Sequence, residues 1–294
     1  MSGRNRSEGW THAKISGHAL EEQLAAALAS DTSLSSALHE DCFGITEASK
    51  PQATAGGIEA THGSCVLGGV TPSKTDLVVR WNSGRVARIS LKKSEGGQVW
   101  LVTPERFIAG FEAQYGKRVP ELVRQGLRLF IGPLSLPEMN SALAGRKPLG
   151  PTRSKDGKSQ EIHQQRFVAA TLEAIAPQAW TATLGWFREE LPLVIELCFA
   201  RGLCADAQAQ AEFVWYYLCD EATGRLQESR VIPIASIVGA AKNMPLARRA
   251  VAGPRNGGST ITLPFGFLQM HRPAGGNQVQ FHHGLDAVKE MLGL

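Results

Sequence analysis

Residues 71–98, Thr-Pro-Ser-Lys-Thr-Asp-Leu-Val-Val-Arg-Trp-Asn-Ser-Gly-Arg-Val-Ala-Arg-Ile-Ser-Leu-Lys-Lys-Ser-Glu-Gly-Gly-Gln, constrain this chain more than any other stretch. Two runs rich in β-branched residues, 77–81 and 86–91, flank Asn82-Ser83-Gly84, where glycine can take a positive φ. The pattern predicts a β-hairpin. Antiparallel pairing would bring Asp76, at the start of the first strand, and Lys92, at the end of the second, to one rim of a sheet. Alternation along the second strand turns Ile89 and Leu91 towards a core and Ser90, Lys92 and Ser94 to the other face, so Lys92 and not Lys93 shares a face with Ser90. A carboxylate and an amine meeting at a sheet end read either as a surface salt bridge or as a reactive pair.

With Asp76 followed by Ser90-Leu91-Lys92 on a hairpin, the chain resembles the PD-(D/E)xK nuclease superfamily over roughly residues 17–111. The resemblance implies a restriction-endonuclease-like fold, α/β of the α+β kind, with a mixed central sheet flanked by helices. It makes Asp76 the first acidic residue of the motif and places Ser90 where most members carry Asp or Glu. Some members with Ser there recruit a carboxylate from elsewhere. Gly17 and Glu21 fit the Gly-x-x-x-Glu pattern of an opening helix whose glutamate reaches the metal site. Their other reading is an acidic first turn that complements the helix dipole. Glu59 is a second candidate for the missing carboxylate, with a solvated loop residue as its alternative. Gln98 follows the lysine at a distance where some members place a glutamine near the site.

Length and composition bound the rest. At 294 residues, 43% hydrophobic and 20% charged, the chain can bury a substantial core. No apolar run reaches the roughly 18 residues a membrane helix needs, and the first residues lack a signal peptide's apolar region, so cytoplasmic residence without a membrane partner is expected. The five cysteines form no CxxC pair, which argues against a disulfide framework or a zinc module. A formal charge of +4 permits nucleic-acid binding without demanding it.

Along the chain, Leu20, Leu24 and Leu28 predict a helix over residues 16–30, with Ser16 as its cap. Residues 31–57 read as loop with short helical pieces, and 62–69 as a strand beside the hairpin. A strand over 99–102 precedes a helix capped by Thr103 with Pro104 at its first position. Residues 120–131, 161–176 and 186–202 read as helices. Residues 213–218 and 230–234 form a second hairpin that can complete the sheet, leaving 133–210 as a helical insertion. A short helix starts at Ile234. A third hairpin spans 260–271 and 277–282, and residues 285–292 close the chain as a helix. The expected division is 1–132, carrying the catalytic hairpin, and 133–294, carrying the insertion, the remaining core strands and a C-terminal β-hairpin region for DNA recognition.

The basic stretch 144–160, with Arg146, Lys147, Arg153, Lys155 and Lys158, suits phosphate contacts, or is a plain solvated linker. Near the C-terminus Arg255, His271 and Arg272 could read base edges. The chain carries no GxxxxGK[ST], HExxH or GxSxG pattern. The resemblance implies a Mg²⁺-dependent endonuclease, with Mn²⁺ able to substitute, that cuts double-stranded DNA as a homodimer of the type II restriction kind. Asp76, the Leu91 carbonyl and either Glu21 or Glu59 would hold the metal, and Lys92 would act on the water. A repair or junction nuclease, and a non-catalytic DNA-binding module on a degenerated nuclease scaffold, are the alternatives.

Overall fold

The structure, a computed structural model, describes residues 19–55, 62–131, 136–142, 167–220, 225–253, 258–271 and 278–294. Contacts group the chain into two units, each built from two stretches: Met1–Glu95 with Ile195–Val238, and Gly96–Val194 with Gly239–Leu294. In chain order the first stretch carries helices α1 (19–30) and α2 (Thr32–Phe43) and strands β1 (Gln52–Ala55), β2 (His62–Ser64), β3 (Val70–Pro72), β4 (Leu77–Arg80) and β5 (Val86–Lys92). Strand β6 (Gly96–Val102) then opens the second unit, followed by α3 (Pro104–Tyr115), α4 (Glu121–Ile131), α5 (Ala169–Ile175) and α6 (Pro177–Glu189). The chain returns to the first unit with β7 (Phe213–Cys219) and β8 (Leu226–Pro233). It leaves through α7 (Ile234–Asn243), and β9 (Val251–Ala252), β10 (Thr260–Leu263), β11 (Gly266–His271), β12 (Gln278–Gly284) and α8 (Leu285–Leu292) complete the second unit.

The first unit is a mixed sheet in the order β1-β4-β5-β7-β8, flanked by helices, so the fold is of the mixed α/β class. The expected hairpin forms: Leu77 faces Ile89 and Arg80 faces Val86, with Gly84 at φ 83° closing the turn. Strand β7 runs parallel to β5 and antiparallel to β8, which makes the second hairpin a continuation of the first. Its sequence Phe-Val-Trp-Tyr-Tyr-Leu-Cys lacks polar alternation because both faces are covered. Phe213 and Trp215 join Leu24, Leu28, Leu38, Leu77, Val79 and Ile89 in one core, while Val214 and Tyr216, on the other face, are fully buried. The leucine stripe of α1 packs there as its spacing requires.

Several expectations are corrected. Residues 32–43 form a regular three-turn helix, because Asp31 caps it by accepting hydrogen bonds from the Ser33 and Leu34 amides, at 2.8 and 3.2 Å, and Gly44 ends it at φ 71°. A buried polar residue, Ser35, interrupts the apolar periodicity of its inner face. The strand beside the hairpin is β1, while β2 pairs with β3 in a separate two-stranded sheet. The strand expected over 99–102 forms as β6, beginning earlier at Gly96, and it lies in a second sheet ordered β6-β12-β11-β10-β9. Residues 260–271 split at Pro264-Phe265 into β10 and β11, so β11 pairs on one side with β10 and on the other with β12. The helix expected over 186–202 begins instead at Pro177 as α6, breaks at Glu190 and ends in a π-helical turn, Leu197–Arg201. Helix α3 starts as expected, Thr103 Oγ1 accepting from the Arg106 amide at 3.3 Å.

Asp31→Ala should lower stability by about 1 kcal/mol, since two first-turn amides of α2 lose their acceptor, while Asp31→Asn should retain most of it. Urea unfolding of the two variants beside the wild type checks this.

Candidate active site

The rim of the first sheet is built by the hairpin's own register. The Asp76 amide donates to Ile89 O at 2.8 Å, extending the β4–β5 ladder by one residue and turning the carboxylate towards the end of β5. There Asp76 Oδ2 accepts from the Leu91 amide at 2.7 Å and from Ser90 Oγ at 3.1 Å. Lys92 Nζ donates to the same Ser90 Oγ at 2.7 Å and to Leu91 O at 3.3 Å. Lys92, Ser90 and Asp76 thus form one directed chain of hydrogen bonds, amine to hydroxyl to carboxylate. Because the Ser90 hydroxyl donates to Asp76, its lone pairs are left for the amine.

Parallel pairing sets Ser90 beside Val214 and Lys92 beside Tyr216, both of which are fully buried. Burial pushes the Lys92 amine below the ordinary lysine range, and the Asp76 and Glu21 carboxylates offset part of that shift. Glu21, in the first described turn of α1, is itself buried and is the second carboxylate acting on Lys92.

A further lysine belongs to this neighbourhood. Lys74 lies two residues before Asp76, its stem packed over Gly202 and its ammonium donating to the Cys198 carbonyl in the π-helical turn. Burial first, with the nearby Lys92 charge adding to it, lowers its pKa to about 8 against the opposing fields of Cys198, Asp76 and Cys204. Nothing local in Pro-Ser-Lys-Thr-Asp distinguishes this lysine from a solvated one. Its setting comes from residues 198–209, remote in sequence.

The oxygen atoms at this rim are of the kind a divalent metal takes. Asp76 Oδ2 is committed to the chain, and no described residue hydrogen-bonds its Oδ1. Leu91 O and the buried Glu21 are the other oxygen donors of this neighbourhood, and oxygen ligands suit Mg²⁺, which keeps waters and takes few carboxylates. Among the described residues no group of three or more His, Cys, Asp or Glu converges on one point.

The other candidates fall elsewhere. Glu59, Gly17, Arg146, Lys147, Arg153, Lys155, Lys158, Arg255 and Arg272 lie outside the described residues. Gln98 is on β6 in the second unit, where its Oε1 accepts from Gln280 Nε2 at 2.9 Å. His271 ends β11 opposite Gln278. Among the described residues no helix is long and apolar enough to cross a membrane.

No family model and no curated protein matches the chain. Among solved structures, one similar chain is the restriction endonuclease MspI in complex with its cognate DNA, 9% identical, at a TM-score of 0.45 over 85% of this chain and 77% of that one.

The depressed Lys74 amine sets a pH test. The unfolded chain holds this proton up to about pH 10.5 and the folded chain only to about pH 8, so the folded state binds fewer protons between them and gains stability as pH rises through that window. The stability of the wild type minus that of Lys74→Met should therefore increase from pH 8 to 10.5 and be flat below pH 7, as read by urea unfolding.

Proposed function

We propose that this protein is a Mg²⁺-dependent endonuclease acting on double-stranded DNA, with Asp76 as principal metal ligand and Lys92 as the amine that works on the attacking water. The hydrogen-bonded chain Lys92–Ser90–Asp76 at the sheet rim is the observation that carries the reading. Asp76 and Lys92 have the residue types and spacing of the superfamily motif, with Ser90 standing where most members carry Asp or Glu, and the chain joins the two groups in space. Leu91 O with Glu21, or Glu59 in place of Glu21, would complete the protein's share of the metal shell, and Mn²⁺ would substitute.

The ion would supply Lewis acidity at a phosphate oxygen and a more acidic bound water. The protein's own groups do the rest. A desolvated Lys92 carries its proton less tightly than a surface lysine, so it can accept one from water at lower pH. Protonated, it offsets charge building on the phosphate. Ser90 is a positioning residue that holds Nζ at 2.7 Å. Sequence-specific cleavage of both strands, as in type II restriction, would follow from a two-fold homodimer with one site per strand. The basic stretch 144–160 would hold phosphates, and Arg255, His271, Arg272 and Gln98 are the candidates for reading DNA.

Ser90 at the motif's second acidic position, with no three-ligand cluster among the described residues, favours a second reading: a DNA-binding protein that does not cut. One assay separates the two. Purified protein with plasmid DNA and Mg²⁺ should give discrete fragments, and EDTA should stop the reaction. Asp76→Ala and Lys92→Ala should each slow cleavage on the order of 10²–10⁴-fold. Lys92→Arg should not restore it, because a guanidinium does not deprotonate near neutral pH. Binding without cleavage under all metal conditions would establish the non-catalytic reading, and preference for branched over linear DNA would mark a junction nuclease.

A further inference from the structure

Asp76 is also a wall of a cleft of about 420 Å³ contained within the first unit. Its volume lies in the range of roughly 300–1,000 Å³ typical of small-molecule sites. One side is the β1–β4 surface, with Thr54, Ala55, Leu77 and Val78. The opposite side is β2 and the turn that follows Asp206. Gly63 lets these two pieces close up, since a Cβ there would lie 2.7 Å from that of Ala209.

The cleft's chemistry is selective. Asp206 Oδ2 is held by the Ser64 amide at 2.6 Å, and no described residue hydrogen-bonds its other oxygen. Thr75, 3% exposed, is a lining residue whose Oγ1 is buried without a hydrogen-bond partner among the described residues. Gln208 adds an exposed amide. Among the described residues the cleft's titratable side chains are Asp76, Asp206 and His62, with no Lys or Arg. The cleft's carboxylates accept hydrogen bonds from a neutral ring bearing amino groups, with Val78 and Ala209 as apolar contact for its faces.

We infer that this cleft binds a nucleobase carrying an exocyclic amine, turned out of its stack, with Asp206 and Gln208 reading its polar edge. The inference rests on the nuclease reading for its meaning: with a phosphate bound at Asp76, the attached nucleoside would enter the adjoining cleft. Unstacking a base costs a few kcal/mol, and a polar pocket of this kind repays it.

The test uses the full-length protein and free 2′-deoxycytidine, 2′-deoxyadenosine and thymidine as probes, followed by saturation-transfer NMR. One or both amino-bearing nucleosides should bind at least about tenfold more tightly than thymidine, whose ring has no amine to donate. Asp206→Asn keeps an oxygen for the Ser64 amide but turns a donor into the cleft, and should weaken that binding about tenfold. Gln208→Ala, at an exposed position that does not threaten folding, should weaken it severalfold. The inference is overturned if no nucleoside binds, if thymidine binds as well as the others, or if both variants bind like the wild type. Plasmid cleavage that needs Asp76 and Lys92 alongside no nucleoside binding removes this site alone. Selective nucleoside binding without cleavage under any metal condition supports the site and removes the nuclease reading.

Discussion

Strand β5 is paired on both sides, antiparallel to β4 and parallel to β7, and that double pairing is what the rest of the first unit depends on. The β4 side brings Asp76 to the end of the strand. The β7 side sets Val214 and Tyr216 beside Ser90 and Lys92 and takes the rim away from water. An Asp and a Lys on an isolated hairpin would be a solvated pair of little consequence. Against β7 the same residues share a buried serine, and the lysine's affinity for its proton falls.

Burial sets limits on what each polar group there can do. A desolvated ammonium left without acceptors is costly, so Lys92 takes both the Ser90 hydroxyl and the Leu91 carbonyl. Lys74 meets the same demand differently, by donating to a carbonyl of the π-helical turn, where the backbone departs from regular α-helical bonding. Two amines with weakened proton affinity around one carboxylate is a concentration of perturbed groups that recurs at functional sites.

Much of this was legible in the chain. The β-branched runs around Asn82-Ser83-Gly84 predicted the hairpin, strand alternation put Ser90 and Lys92 on one face, and the aromatic and β-branched runs of 213–218 and 230–234 predicted a second hairpin that completes the sheet. Other features depended on partners remote in sequence. Helix α2 was obscured because one of its serines turns inward: Ser35 is fully buried, its hydroxyl donating to Ser49 O and accepting from the Trp81 indole, so a residue read as polar does core work. Lys74 and the cleft beside Asp76 arise only when residues 198–209 meet residues 62–76. No local pattern encodes that meeting.

The parallel step from β5 to β7 also bears on biosynthesis. Between these neighbours in space the ribosome makes the whole of residues 93–212, including most of another unit. While those residues emerge, the growing chain exposes the open edge of β5, a surface prone to pairing with foreign strands. The sheet's last two strands are among the later parts of the chain to be made, so this half of the protein matures long after its first helices are synthesised. A nascent chain stalled before residue 213 would hold Asp76 and Lys92 without the wall that makes them unusual.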